Sequence, residues 1–133
     1  MVMQGEILRG NVLWSYDYEL AAKSRRTKFL SGLFSFIKPL SNHEGQIILS
    51  RSGLLITGEE DLSIPLSSVN EIYLGFDGLF PAAAVKNFGA FWQPIRLEYL
   101  TSDEPRKIYL NIDYNGLTAH NQLWYDTIKE LLT

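Results

Sequence analysis

The chain has 133 residues and no cysteine, with hydrophobic residues at 46% and charged residues at 20%. Those proportions are globular and set aside disordered, collagenous and coiled-coil classes. The missing cysteines exclude a disulfide framework, thiolate chemistry and any cysteine-ligated zinc or iron–sulfur site. Fifteen acids against twelve bases leave a formal charge of -3, which does not suit a duplex-binding protein, and no nucleic-acid partner is expected. The charge is uneven: residues 1–40 carry six bases and three acids, and the rest six bases and twelve acids.

A length near the commonest domain size predicts one domain over 1–133. Met1 to Gly10 has no long apolar run behind a basic start, which does not fit a signal peptide. The apolar stretches fall far below the roughly 20 residues that span a bilayer. A cytoplasmic location is the expectation, with contact at a membrane surface as its variant.

Residues 12–20 alternate, with Val12, Trp14, Tyr16, Tyr18 and Leu20 on one side, which predicts a strand with one buried face. Residues 21–40 form an insertion of different character. Four bases come first, Lys23, Arg25, Arg26 and Lys28. Phe29, Leu30, Leu33, Phe34, Phe36 and Ile37 then fall within an arc of about 160° at helical spacing, which predicts an amphipathic helix. Pro39 ends it.

Short strands and turns follow: Gln46 to Ser50, Leu54 to Thr57, Leu62 to Leu66, and Val69 to Phe76. The connection Asp77 to Gln93 is unusually apolar, with Leu79, Phe80, Val85, Phe88, Phe91 and Trp92. Alternation returns over Pro94 to Thr101, and again over Lys107 to Asp113 with Ile108, Leu110 and Ile112 inward. The spacing of Trp124, Ile128 and Leu131 predicts a closing helix over 117–132, with Thr118 as its N-cap. The expected fold is mainly β: about seven antiparallel strands in a partly open barrel, capped by a C-terminal helix, with an extra helix inserted after the first strand.

The run Gly45 to Gly58, followed by Ile64-Pro65-Leu66-Ser67-Ser68-Val69-Asn70-Glu71-Ile72, resembles the pleckstrin-homology superfold in its small bacterial and GRAM-like forms. The strand count and a closing helix with one tryptophan, Trp124, add to the likeness. The resemblance implies a binding scaffold whose loops hold lipid head groups, peptides or other domains. Lipid-binding members place a Lys near the end of the first strand and Lys/Arg-x-Arg on the second. The second strand here, Gln46 to Ser50, has no base, so no phosphoinositide pocket carries over.

No catalytic motif is found, and no metal site or cofactor is expected. His43 beside Asn42 and Glu44 reads as a turn residue, and His120 as a surface residue. Glu59, Glu60 and Asp61 read as a solvated turn, because a calcium loop spreads its ligands over about twelve residues. The expected function is a non-enzymatic interaction module that binds a protein or itself through Phe29, Leu33, Phe34, Phe36 and Ile37. The first alternative is attachment to anionic lipid through Lys23, Arg25, Arg26 and Lys28. The second is a small-molecule pocket near Phe80, Phe91 and Trp92, where the competing reading is that the 77–93 connection packs over the sheet.

Overall fold

A computed structural model of the chain describes residues 5–22, 43–59, 61–77, 93–102, 104–115 and 118–133. Seven antiparallel strands make one sheet in the order β4-β3-β2-β1-β7-β6-β5. They are β1 (Glu6–Tyr16), β2 (His43–Ser50), β3 (Gly53–Gly58), β4 (Leu62–Pro65), β5 (Val69–Leu74), β6 (Ile95–Leu100) and β7 (Pro105–Ile112). A short helix α1 (Asp17–Ala21) follows β1, a 3-10 turn (Leu66–Ser68) joins β4 to β5, and helix α2 (Asn121–Leu132) closes the chain. The array is a mainly β, partly open barrel with a C-terminal helix.

The long first strand explains how one sheet curls. β1 pairs with β2 from Glu6 to Trp14 and with β7 from Val12 to Tyr16. Its first half therefore belongs to the β1–β4 side and its second half to the β5–β7 side. Alternation does the rest. Val12, Trp14, Ile47, Leu49, Leu54, Ile56, Ile95, Leu97, Ile108, Leu110 and Ile112 are buried in one core. Period-two spacing places such residues on the same face of each strand. Trp124 and Ile128, one helical turn apart on α2, enter the same core, with Val69, Ile72 and Leu74 packed against it. The helix thus covers apolar surface that a sheet unpaired between β4 and β5 would otherwise show to water.

Glycine is required where β2 meets β3. Gly45 stands opposite Gly58, whose φ is +137°, and a Cβ on Gly45 would strike the Thr57 carbonyl.

Two sequence expectations are corrected. The first strand ends at Tyr16, and Asp17–Ala21 is helical. Glu19 causes the change: its Oε1 accepts the Tyr16 N–H at 2.9 Å and closes the first helical turn. Leu20 lies four residues after Tyr16, so both remain buried in the helical arrangement. At the other end, α2 starts at Asn121 with His120 as N-cap, not at 117 with Thr118. Thr118 instead belongs to a turn: its N–H donates to Asn115 Oδ1 at 2.8 Å, and its carbonyl accepts the Asn115 N–H at 3.0 Å. The helix expected over 28–37 lies outside the described residues.

Candidate functional site

The basic residues Lys23, Arg25, Arg26 and Lys28, the apolar residues Phe29, Leu33, Phe34, Phe36 and Ile37, and the residues Phe80, Phe91 and Trp92 all lie outside the described residues. They belong to two segments, 23–42 and 78–92, and the described structure fixes where each leaves the sheet and returns.

The foot of the first segment is a clasp between α1 and β2. His43, the first residue described after the segment, is not a turn residue. It opens β2 and pairs with Trp14 of β1. Its Nε2 lies 2.7 Å from Glu19 Oε2 and 2.8 Å from Oε1. Its Nδ1 lies 3.8 Å from Glu59 Oε2. One carboxylate, Glu19, therefore both starts α1 and holds the start of β2. Aromatic rings support this arrangement. The His43 ring lies 4.5 Å from Trp14 and meets Tyr16 edge-on at 6.1 Å. Tyr16 stacks on Tyr18 at 5.2 Å, and the Arg106 guanidinium lies 5.8 Å from the Tyr16 ring. Tyr18 remains 57% exposed.

The foot of the second segment is a different clasp, built on a row across three strands. Tyr73, Arg96 and Tyr109 are neighbours on β5, β6 and β7. Arg96 donates from Nη1 to Asp77 Oδ2 at 3.0 Å and from Nη2 to Glu71 Oε1 at 2.7 Å. The Tyr109 hydroxyl donates to the same Asp77 oxygen at 2.7 Å. The Tyr73 ring lies 4.5 Å from the guanidinium carbon. Burial of Arg96 works against its charge, but the Glu71 and Asp77 carboxylates outweigh that and raise its pKa. Burial pushes the Tyr109 phenol well above its ordinary range, and its bond to Asp77 adds to the effect. Asp77, the last residue described before the segment, is thereby fixed from two strands.

The return of that segment is held by Asn121 at the start of α2. Its Oδ1 accepts the Ile112 N–H at 2.7 Å, and its Nδ2 donates to the Gln93 carbonyl at 2.7 Å and to Asn111 Oδ1 at 3.2 Å. The register Ile95↔Leu110 would bring Gln93 opposite Ile112, so one carboxamide replaces the next ladder step between β6 and β7. Nearby, Asp113 takes a left-handed φ of 54° and ends β7. Its Oδ1 accepts the Asn11 N–H and its Oδ2 lies 2.8 Å from His120 Nδ1, which ties the helix N-cap to the first strand. His120 is exposed, as its sequence context suggests.

Sequence reasoning missed both clasps. Glu19 and His43 are 24 positions apart, and Asp77 and Arg96 are 19 apart. Their one local signal was the pair of acids, Asp17 and Glu19, in the first turn of a helix read as strand. Among the described residues, no group of three or more histidine, aspartate or glutamate side chains is placed to hold a metal ion. Among them also, no helix is long and apolar enough to cross a membrane. No family model matches the sequence, and no curated protein is similar to it.

Proposed function

We propose that this chain is a non-enzymatic interaction module with a pleckstrin-homology-like fold, whose segments 23–42 and 78–92 hold a protein partner or a second copy of the chain. The observation that carries this reading is the pair of clasps. The ends of both segments are held by hydrogen bonds at the sheet: Glu19 with His43 at the first, and Asp77 with Arg96 and Gln93 with Asn121 at the second. Fixing the ends of a segment lowers the ordering cost of binding with it, and binding residues concentrate on segments that a rigid scaffold positions.

The composition of the segments supports a protein partner. They hold Arg25, Arg26, Phe29, Phe34, Phe36, Phe80, Phe91 and Trp92. Arginine and the large aromatics are enriched in the centre of protein interfaces. The lipid reading rests on Lys23, Arg25, Arg26 and Lys28. At about 1 kcal/mol per base near an anionic surface, four bases give about 4 kcal/mol, a dissociation constant near millimolar. Residues 41–133 carry twelve acids against six bases and subtract from that attraction.

The test replaces residues 24–41, residues 78–92, or both, with Gly-Ser linkers of equal length, leaving the clasp residues in place. Each form is cross-linked in its native cell and purified, and sedimentation velocity is run on the purified chain. The expected result is a specific partner or a dimer on the full chain that is lost when a segment is replaced, while the far-ultraviolet dichroism of the sheet persists. The reading is overturned if the doubly replaced chain keeps the same partner. It is also overturned if the full chain instead floats with phosphatidylserine-rich vesicles at low salt and captures no protein.

A further inference from the structure

The turn between β7 and α2 carries chemistry that neither clasp uses. Asn115 is exposed there, and the next residue in the sequence is Gly116. An asparagine followed by glycine is open to intramolecular attack, because glycine has no side chain to shield its backbone nitrogen. That nitrogen, giving its proton to hydroxide, bonds to the side-chain carbonyl carbon of Asn115. The bond from that carbon to Nδ2 breaks, and ammonia leaves. Water then opens the five-membered imide at either carbonyl. The product is aspartate, or isoaspartate with its main chain routed through the side chain and one methylene longer. In sum, the amide and water give a carboxylate and ammonium.

The structure restrains Asn115 against this reaction. Ring closure needs rotation of the side chain and turns its planar carboxamide carbon tetrahedral. Thr118 opposes both. Its N–H donates to Asn115 Oδ1 at 2.8 Å, and its Oγ1 accepts from Asn115 Nδ2 at 3.2 Å. The Thr118 carbonyl also accepts the Asn115 N–H at 3.0 Å, which fixes the backbone beneath the side chain. Both ends of the carboxamide are thus engaged by one residue three positions on. Conversion must wait for the turn to open locally.

We propose that Asn115 is a deamidation site whose rate is set by the grip of Thr118. The turn is a place where the change has consequences, since it joins two fixed points. Asp113 binds the Asn11 N–H and His120, and the His120 N–H donates to the Ile112 carbonyl at 2.8 Å. Isoaspartate lengthens the main chain between Asp113 and His120. Either product also places a new negative charge two residues from the Asp113 carboxylate. The inference stands apart from the protein-binding reading above.

The full chain is incubated at mildly alkaline pH, both folded and in denaturing urea. Peptide mass mapping follows the gain of one mass unit at Asn115, and an isoaspartate methyltransferase counts the isoaspartate. The expected result is conversion at Asn115 in both samples, slower in the folded chain by about tenfold or more. Thr118→Val keeps the N–H and removes the hydroxyl. It should speed conversion in the folded chain about five- to tenfold, as loss of one hydrogen bond does, with the far-ultraviolet dichroism unchanged. Thr118→Ser restores the hydroxyl and should restore the slow rate. The inference is overturned if the folded chain converts as fast as the unfolded one, or if Asn115 stays intact in urea. It is also overturned if Thr118→Val leaves the folded rate unchanged, or if Thr118→Ser converts as fast as Thr118→Val.

Discussion

Trp124 and Leu123 are neighbours on α2, yet the fold treats them oppositely: Trp124 is 1% exposed and Leu123 is 52% exposed. If α2 seals the open side of the sheet through its buried face, truncating the two should have very different costs. A buried tryptophan removes about 150–250 Å² from water. At about 25 cal/mol per Å² that is about 4–6 kcal/mol for the whole side chain, and core Trp→Ala changes cost about 3–5 kcal/mol. A domain of this size has a total stability of about 7–15 kcal/mol. Trp124→Ala should therefore remove about a fifth to two thirds of it. With a urea dependence of about 2 kcal/mol per molar, the midpoint should fall by about 2 M. Leu123→Ala should stay within about 0.5 kcal/mol. Urea unfolding followed by far-ultraviolet dichroism reads both, without depending on which tryptophan fluoresces. A Trp124→Ala cost below about 1 kcal/mol, or equal costs for the two variants, would refute the placement of this helix.

Other expectations follow from the polar ties. Asn121→Ala leaves the Ile112 N–H, the Gln93 carbonyl and Asn111 Oδ1 without their partner. Its cost should be about 2–4 kcal/mol in the same urea assay; a neutral result would contradict the wedge between β6 and β7. His43→Ala removes the bond to Glu19 and the contact with Trp14, and should cost about 1–2 kcal/mol. Glu19→Ala should cost a similar amount, and the double variant less than the sum, since both remove one interaction; strict additivity would argue against the clasp. Tyr109 gives an alkaline signature. Its folded pKa is raised, so its contribution is fully present below the ordinary tyrosine range near pH 10 and is lost as pH rises above it. Ultraviolet titration should include a tyrosine component that ionises only as the fold is lost, and Tyr109→Phe should reduce that component by one tyrosine. A Tyr109 that ionises near pH 10 with the fold intact would contradict its burial against Asp77.

The strands were readable because each buries one face. Ile108, Leu110 and Ile112, or Ile95, Leu97 and Tyr99, write period two directly into the chain and form the core set of β7 and β6, although on β7 Tyr109 and Asn111 of the other face are buried as well. The closing helix was readable from Trp124 and Ile128 for the same reason at a different period. Residues 16–21 were ambiguous. Tyr16, Tyr18 and Leu20 satisfy alternation, while Tyr16 and Leu20 also satisfy helical spacing, and only the Glu19 bond to the Tyr16 N–H decides between them. Thr118 is a good N-cap by residue type, but Asn115 takes its N–H first. The pairings within the clasps were not readable. His43 meets Glu19 only once β1 has paired with β2, and Asp77 meets Arg96 and Tyr109 only once β5, β6 and β7 have paired, and no local pattern encodes a meeting made by strand pairing.

The most direct measurement of the interaction reading is site-specific photo-cross-linking in the native cell. A photoreactive residue is placed in turn at Phe29, Phe34, Phe91 and, on the outer face of the scaffold, at Thr57 and Ser63. Adducts to one protein, or to a second copy of the chain, are expected from the segment positions and not from the scaffold positions. Adducts only from Thr57 or Ser63, or none from any segment position, would contradict the account.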